Sequence, residues 1–93
     1  MAHSSLKLPP ELHRTIRRLH PELKRKIRAA LADILANPAC GKPLKDELKG
    51  YWSLRVGRVR IIYRAASDTI EIVAIGPREN IYQETARQLR SDK

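Results

Sequence analysis

Phenylalanine is absent from the 93 residues, and Tyr51, Trp52, Tyr63 and Tyr82 make up the whole aromatic complement. The core must therefore be aliphatic, assembled from Leu, Ile, Val and Ala. A single cysteine, Cys40, excludes an intramolecular disulfide and metal sites of the multi-cysteine type. It lies in Asn37-Pro38-Ala39-Cys40-Gly41, a loop-forming stretch in which the thiol reads as incidental. No apolar run approaches the ~20 residues that span a bilayer. The N-terminus lacks the apolar stretch of a signal peptide, so the expected location is cytoplasmic. His3, His13 and His20 are scattered, without metal-binding or acid–base spacing. Neither a glycine-rich phosphate loop nor a Ser-His-Asp set can be assembled, and neither a metal nor a cofactor is expected.

What is abundant is positive charge. Nineteen Lys and Arg against ten Asp and Glu leave a net charge of +9, which favours a polyanionic partner such as nucleic acid, the ribosome or an acidic protein. Hydrophobic content of 42% is enough for one folded domain, expected to span residues 1–93. So small a domain is modestly stable alone, and a partner that covers its apolar surface would matter.

Residues 4–8 suit a short strand. Pro9-Pro10 then opens a helical pattern with Leu12, Ile16 and Leu19 on one face and His13, Arg14, Arg17 and Arg18 mostly on the other. Pro21 restarts a helix at a first-turn position, where its missing N–H costs nothing. Leu23, Ile27, Ala30, Leu31, Ile34 and Leu35 follow at amphipathic spacing until Asn37-Pro38. Residues 38–50 read as a loop carrying Lys42, Lys45 and Lys49. After Gly50 the period changes from 3.6 to 2. Trp52, Leu54 and Val56 alternate in one strand, and Val59, Ile61 and Tyr63 in the next, around a two-residue turn at Gly57-Arg58 of type II′ or I′. A third strand runs from Thr69 to Ile75, and Glu79 to Arg90 reads as a final amphipathic helix. The expected fold is α+β in the order β-α-α-β-β-β-α: an antiparallel sheet with a two-helix hairpin on one face, the other face at least partly open, and a C-terminal helix.

With that turn, Val56 opposes Val59, Leu54 opposes Ile61 and Trp52 opposes Tyr63, all on one apolar face. The other face then pairs Arg55 with Arg60, Ser53 with Ile62 and Tyr51 with Arg64. Like charges directly opposite are unfavourable unless solvated or bridged by an anion. Phosphate suits the guanidinium fork, so the pair reads as a phosphate-binding feature. Arg78 and Tyr82 border the same face.

Leu48-Lys49-Gly50-Tyr51-Trp52-Ser53-Leu54-Arg55-Val56-Gly57 resembles the first hairpin strand of the RelE/ParE toxin superfamily. Arg58-Val59-Arg60-Ile61-Ile62-Tyr63 resembles its return strand, and Ile75-Gly76-Pro77-Arg78-Glu79-Asn80-Ile81-Tyr82 the end of its sheet. No single piece is diagnostic; their order identifies the chain as a member, across nearly its whole length. The resemblance implies the toxin of a type II toxin–antitoxin system, neutralised by a cognate antitoxin. RelE-like members act as ribosome-dependent messenger RNA endoribonucleases, using basic residues and a tyrosine without a metal. Carried over by motif position, Arg60, Arg78, Tyr82 and Arg55 are the catalytic set. Lys45, Lys49, Tyr51, Ser53, Arg58 and Arg64 are the candidate RNA contacts.

One departure bears on activity. Active RelE nucleases carry lysines roughly where Tyr51 and Ser53 stand. Lys49, Lys42 or Lys45 could supply the charge, or Tyr51 could stack on a base; otherwise the nuclease is weak. The alternative is a ParE-like inhibitor that binds DNA gyrase without cleaving nucleic acid, or a binding module with another target. The antitoxin is expected to cover the basic face or displace the C-terminal helix around Ile81–Leu89.

Overall fold

Two prolines set where the helices begin. The computed structural model describes residues 5–77 and 81–91. After strand β1 (Ser5–Lys7), helix α1 (Pro10–Arg17) starts with Pro10 in its first turn, and helix α2 (Pro21–Ala36) starts with Pro21 in the same position. The Nδ1 of His20 accepts a hydrogen bond from the Glu22 amide at 3.2 Å, so this expected surface histidine caps α2. Ile16 of α1 and Ile27, Ala30, Leu31 and Ile34 of α2 are buried at the helical spacing legible in the sequence.

Three antiparallel strands follow: β3 (Trp52–Val56), β4 (Val59–Ala66) and β5 (Thr69–Pro77). The expected register is observed, with Trp52 opposite Tyr63, Leu54 opposite Ile61, Arg55 opposite Arg60 and Val56 opposite Val59. Gly57 has φ +59° while Arg58 is not among the positive-φ residues, so of the two hairpin turns considered the chain uses type II′. Helix α3 (Ile81–Ser91) closes the described chain.

The structure corrects the sequence reading in four places. The segment 38–50 is more than a loop: it holds two single-turn 3₁₀ segments, Pro38–Cys40 and Asp46–Leu48, and a two-residue strand, β2 (Lys42–Pro43), paired antiparallel with β3. The sheet, ordered β1-β5-β4-β3-β2, is mixed rather than wholly antiparallel, because β1 runs parallel to β5. The helical hairpin and the β2–β4 segment supply the long crossover that a parallel neighbour requires. Tyr51 does not join the ladder opposite Arg64; its carbonyl accepts from the Leu44 amide, which turns the chain toward β2. Finally, β5 has a bulge: Ile62 opposes Ala74 but Tyr63 opposes Ile72, leaving Val73 as the extra residue.

That bulge reverses the alternation after Val73, keeping Ile75 on the face of Ile70 and Ile72 and turning Ala74 to the other. Ile70, Ile72 and Ile75 pack with Ile61, Tyr63 and Val56 beneath the helical hairpin. Ile62, Ala74 and Ile81 form a second cluster on the opposite face, flanked by Leu44, Tyr51, Val73 and Tyr82. Burying Ile81 there docks α3 on the face expected to be partly open.

Candidate functional site

A pleated strand alternates its side chains, so Ser53 and Arg55 of β3 and Arg60 of β4 all leave the sheet on the face away from the helical hairpin. There the two arginines diverge. Arg55 is exposed, its Nε 3.5 Å from the Gly57 carbonyl of its own turn. Arg60 is half-buried and lies along the sheet. Its Nη1 donates to Ser53 Oγ at 3.0 Å, and its Cζ stands 5.5 Å from the centroid of the Tyr82 ring. Ser53 Oγ is in turn 3.0 Å from Tyr82 Oη. A strand, its neighbour and a helix thus contribute one residue each to a closed Ser53–Arg60–Tyr82 cluster.

Ser53, at 2% exposure, is the buried centre of this cluster. The guanidinium over the Tyr82 ring gains a cation–π attraction that fixes both planes. Arg60 Nε is buried and has no hydrogen-bond partner among the described residues. An unmet charged donor is best satisfied by an anionic oxygen.

The other candidates fall in different places. Arg78 lies outside the described residues. Lys45 is exposed and, with Lys42, lines a cleft of about 390 Å³ bounded by Pro43, Leu44, Asp46, Leu48 and Tyr82. The cleft therefore opens directly beside the cluster. Lys49 is exposed in the turn before β3 and is not part of the cleft lining. Tyr51 is not an exposed stacking platform, because it packs half-buried against the second core. Arg64 is engaged by Glu71 on β5, through Nη2 at 2.6 Å and Nε at 2.8 Å. The Glu71 hydrogen bond, followed by its charge, raises the Arg64 pKa further above its ordinary value. Arg58 sits at the hairpin tip on the helical side, lining a separate cleft of about 540 Å³ with His20, Glu22, Leu23 and Lys26.

One residue with a clear local role was passed over as core. Tyr63 is fully buried, yet its hydroxyl donates to the Pro38 carbonyl at 2.6 Å and accepts from the Gly41 amide at 3.1 Å. Burial first, and the neighbouring Cys40 second, push its phenol up to about 12. A Cβ on Gly41 would stand 2.6 Å from that hydroxyl and 2.8 Å from the Ser53 carbonyl, so only glycine fits. The signal available in the sequence was a tyrosine within an otherwise aliphatic core face: a buried phenol needs a partner.

Among the described residues, no group of three or more His, Cys, Asp or Glu is placed to hold a metal ion, and no helix is long and apolar enough to cross a membrane.

A mixed five-stranded sheet with a helical hairpin on one face and an arginine–tyrosine cluster on the other defines a RelE-like α+β protein. Residues 8–82 match the family model of the ParE toxin of the type II toxin–antitoxin system parDE. The chain belongs to that family, and with it to the RelE/ParE toxin superfamily. Among solved structures it is similar to the toxin–antitoxin complex RelBE2 from Mycobacterium tuberculosis, at 28% identity and TM-score 0.71, covering 84% of this chain and 94% of the other. It shares its fold with a mutant of the Escherichia coli toxin RelE in the free state, at 18% identity and TM-score 0.75, covering 96% and 99% of the two chains. It also shares its fold with the YoeB–YefM complex from Staphylococcus aureus, at 23% identity and TM-score 0.65, covering 75% and 91%. No curated protein matches the chain.

Proposed function

We propose that this toxin is a RelE-like, ribosome-dependent endoribonuclease that cuts messenger RNA in the cytoplasm and is silenced by a cognate antitoxin. The observation that carries the reading is the hydrogen-bonded chain from Arg60 Nη1 through Ser53 Oγ to Tyr82 Oη. It holds a cation and a hydroxyl side by side, next to the cleft that Tyr82 lines. The RelBE2 relative is a toxin–antitoxin complex, which supports an antitoxin partner.

In the reaction the ribose 2′-oxygen attacks the adjacent phosphorus and the bond to the 5′-oxygen breaks. The products are a 2′,3′-cyclic phosphate and a free 5′-hydroxyl. One proton leaves the 2′-hydroxyl and one reaches the departing oxygen. Arg60 neutralises the charge that grows on the phosphoryl oxygens, and Arg55 adds to the field around it. Tyr82, held by Ser53, orients the nucleotide so that attack is in line. Substrate entry frees Arg60 from part of its contact with Ser53 and supplies an acceptor for its unmet N–H. Lys45 and Lys49 contribute electrostatic attraction to the RNA backbone.

Primer extension on a translated message tests the reading. Wild-type protein is expected to leave discrete stops that Arg60→Ala abolishes.

A second reading, inhibition of DNA gyrase without cleavage, draws on two observations. The matching family model is that of the ParE toxin, and Tyr51 and Ser53, the latter buried, stand roughly where the resemblance implies lysines in active RelE nucleases. Blocked supercoiling without any message cleavage would select it over the nuclease.

A further inference from the structure

The cleft beside Tyr82 combines apolar, aromatic and charged walls. Pro43, Leu44 and Leu48 give it apolar walls, Tyr82 an aromatic one, Lys42 and Lys45 two cations, and Asp46 one carboxylate. Its volume of about 390 Å³ is within the range of small-molecule sites, roughly 300–1,000 Å³. An apolar and aromatic lining accepts the faces of a nucleobase, while paired ammonium groups attract a phosphodiester. Asp46 repels phosphate but accepts a hydrogen bond, so it suits an N–H or O–H donor of the nucleotide while the lysines attract its backbone.

The lysine wall does not hold itself in place. Strand β2, which carries Lys42, is two residues long and forms only a short ladder with β3. The turn leading into it is fixed from below by Tyr63, whose hydroxyl ties both Pro38 and Gly41. Gly41 immediately precedes Lys42 and is packed too tightly for any side chain. The core side of the sheet thereby sets the position of a wall on the cleft.

We propose that this cleft is the subsite for one nucleotide of single-stranded RNA flanking the scissile phosphate, and that Tyr63 is a positioning residue that holds its Lys42–Lys45 wall in the binding conformation. The proposal rests on the nuclease reading and adds to it a named subsite and a residue acting from inside the core.

The test uses the full chain and a fluorescently labelled, fully 2′-O-methylated RNA hexamer, which has no free 2′-hydroxyl to attack and so reports binding alone. Exchange of the Gly41 amide, followed by NMR, reports the hook. The double variant Lys42→Ala/Lys45→Ala is expected to bind the hexamer about tenfold more weakly, with a shallower dependence of affinity on salt as fewer phosphates are neutralised. Tyr63→Phe preserves the ring and removes the hydroxyl. It is expected to speed Gly41 exchange and to weaken binding at least threefold, while message cleavage at saturating substrate changes much less. Wild-type affinity in the lysine double variant would overturn the subsite, leaving the nuclease reading intact if that variant still cleaves message. Fast Gly41 exchange with unchanged affinity in Tyr63→Phe would overturn the positioning role. A wild-type protein that neither binds the hexamer nor cleaves message would overturn the nuclease reading and this proposal together.

Discussion

Ser53 and Tyr82, twenty-nine positions apart, meet through hydroxyl groups 3.0 Å from one another, and that contact joins the sheet to the C-terminal helix directly beside Arg60. A small side chain in the middle of β3 makes the approach possible. A longer one would displace either the tyrosine or the guanidinium.

Ser53→Ala is therefore expected to loosen the cluster from its centre. Losing two buried hydrogen bonds, one to a charged donor, should cost about 1–3 kcal/mol of stability. Urea denaturation measures that cost, and primer extension should show about a tenfold slower cleavage as Arg60 and Tyr82 lose their common partner. Unchanged cleavage would mean that Ser53 is not needed to hold them.

Arg60→Ala and Tyr82→Phe probe the two ends of the same chain. Arg60→Ala should lower cleavage by about 10²–10³-fold, as expected for removing a positioned charge-stabilising donor. Tyr82→Phe should keep stacking and lose the hydroxyl, giving a smaller defect. Arg60→Lys should not restore activity, because an ammonium lacks the planar fork. Growth arrest on induction gives the cellular readout, and circular dichroism confirms that each variant remains folded.

Alkaline stability should depend on Tyr63. An ordinary phenol titrates near 10, and in the folded chain this one is pushed up to about 12. The folded state holds the proton more tightly than the unfolded state. Its contribution is thus fully present below about pH 10 and is lost as pH rises toward about 12. The melting temperature of the wild type should fall more steeply across that window than that of Tyr63→Phe. Parallel curves would show that the phenol does not titrate with unfolding.

Arg64→Ala should be nearly silent. Its partner Glu71 is only partly buried and Arg64 itself is 47% exposed, so the pair should contribute about 1 kcal/mol or less. Since Glu71 already occupies the guanidinium, RNA affinity should change less than twofold in a fluorescence anisotropy titration. A tenfold loss would return Arg64 to the binding face.

The hairpin was legible in the sequence because its evidence is local. A glycine at the turn and three apolar pairs on one face leave one register, and that register alone set Arg55 against Arg60. The helices were legible for a similar reason, since Pro10 and Pro21 mark their starts and aliphatic spacing marks their buried faces. The settings of Tyr51 and Arg64 were not legible because remote segments supply part of them. Leu44 turns Tyr51 out of the ladder, and Glu71 on β5 captures Arg64. The burial of Ser53 was not legible because periodicity says which face a residue occupies and does not say what covers that face.

By itself, the sequence determined the α+β class, the helical hairpin, the strand register and the gathering of arginines on one face of the sheet. Each follows from short-range rules of period, turn chemistry and charge. Only the tertiary structure decided that Arg60 would lie down against Ser53 and Tyr82 while Arg55 stayed exposed. It also decided that a bulge at Val73 would give β5 residues to both cores, and that Tyr63 would reach through the core to hold the Pro38–Gly41 turn. These outcomes depend on where α3 and the 38–50 segment come to rest, and packing between distant parts of the chain settles that.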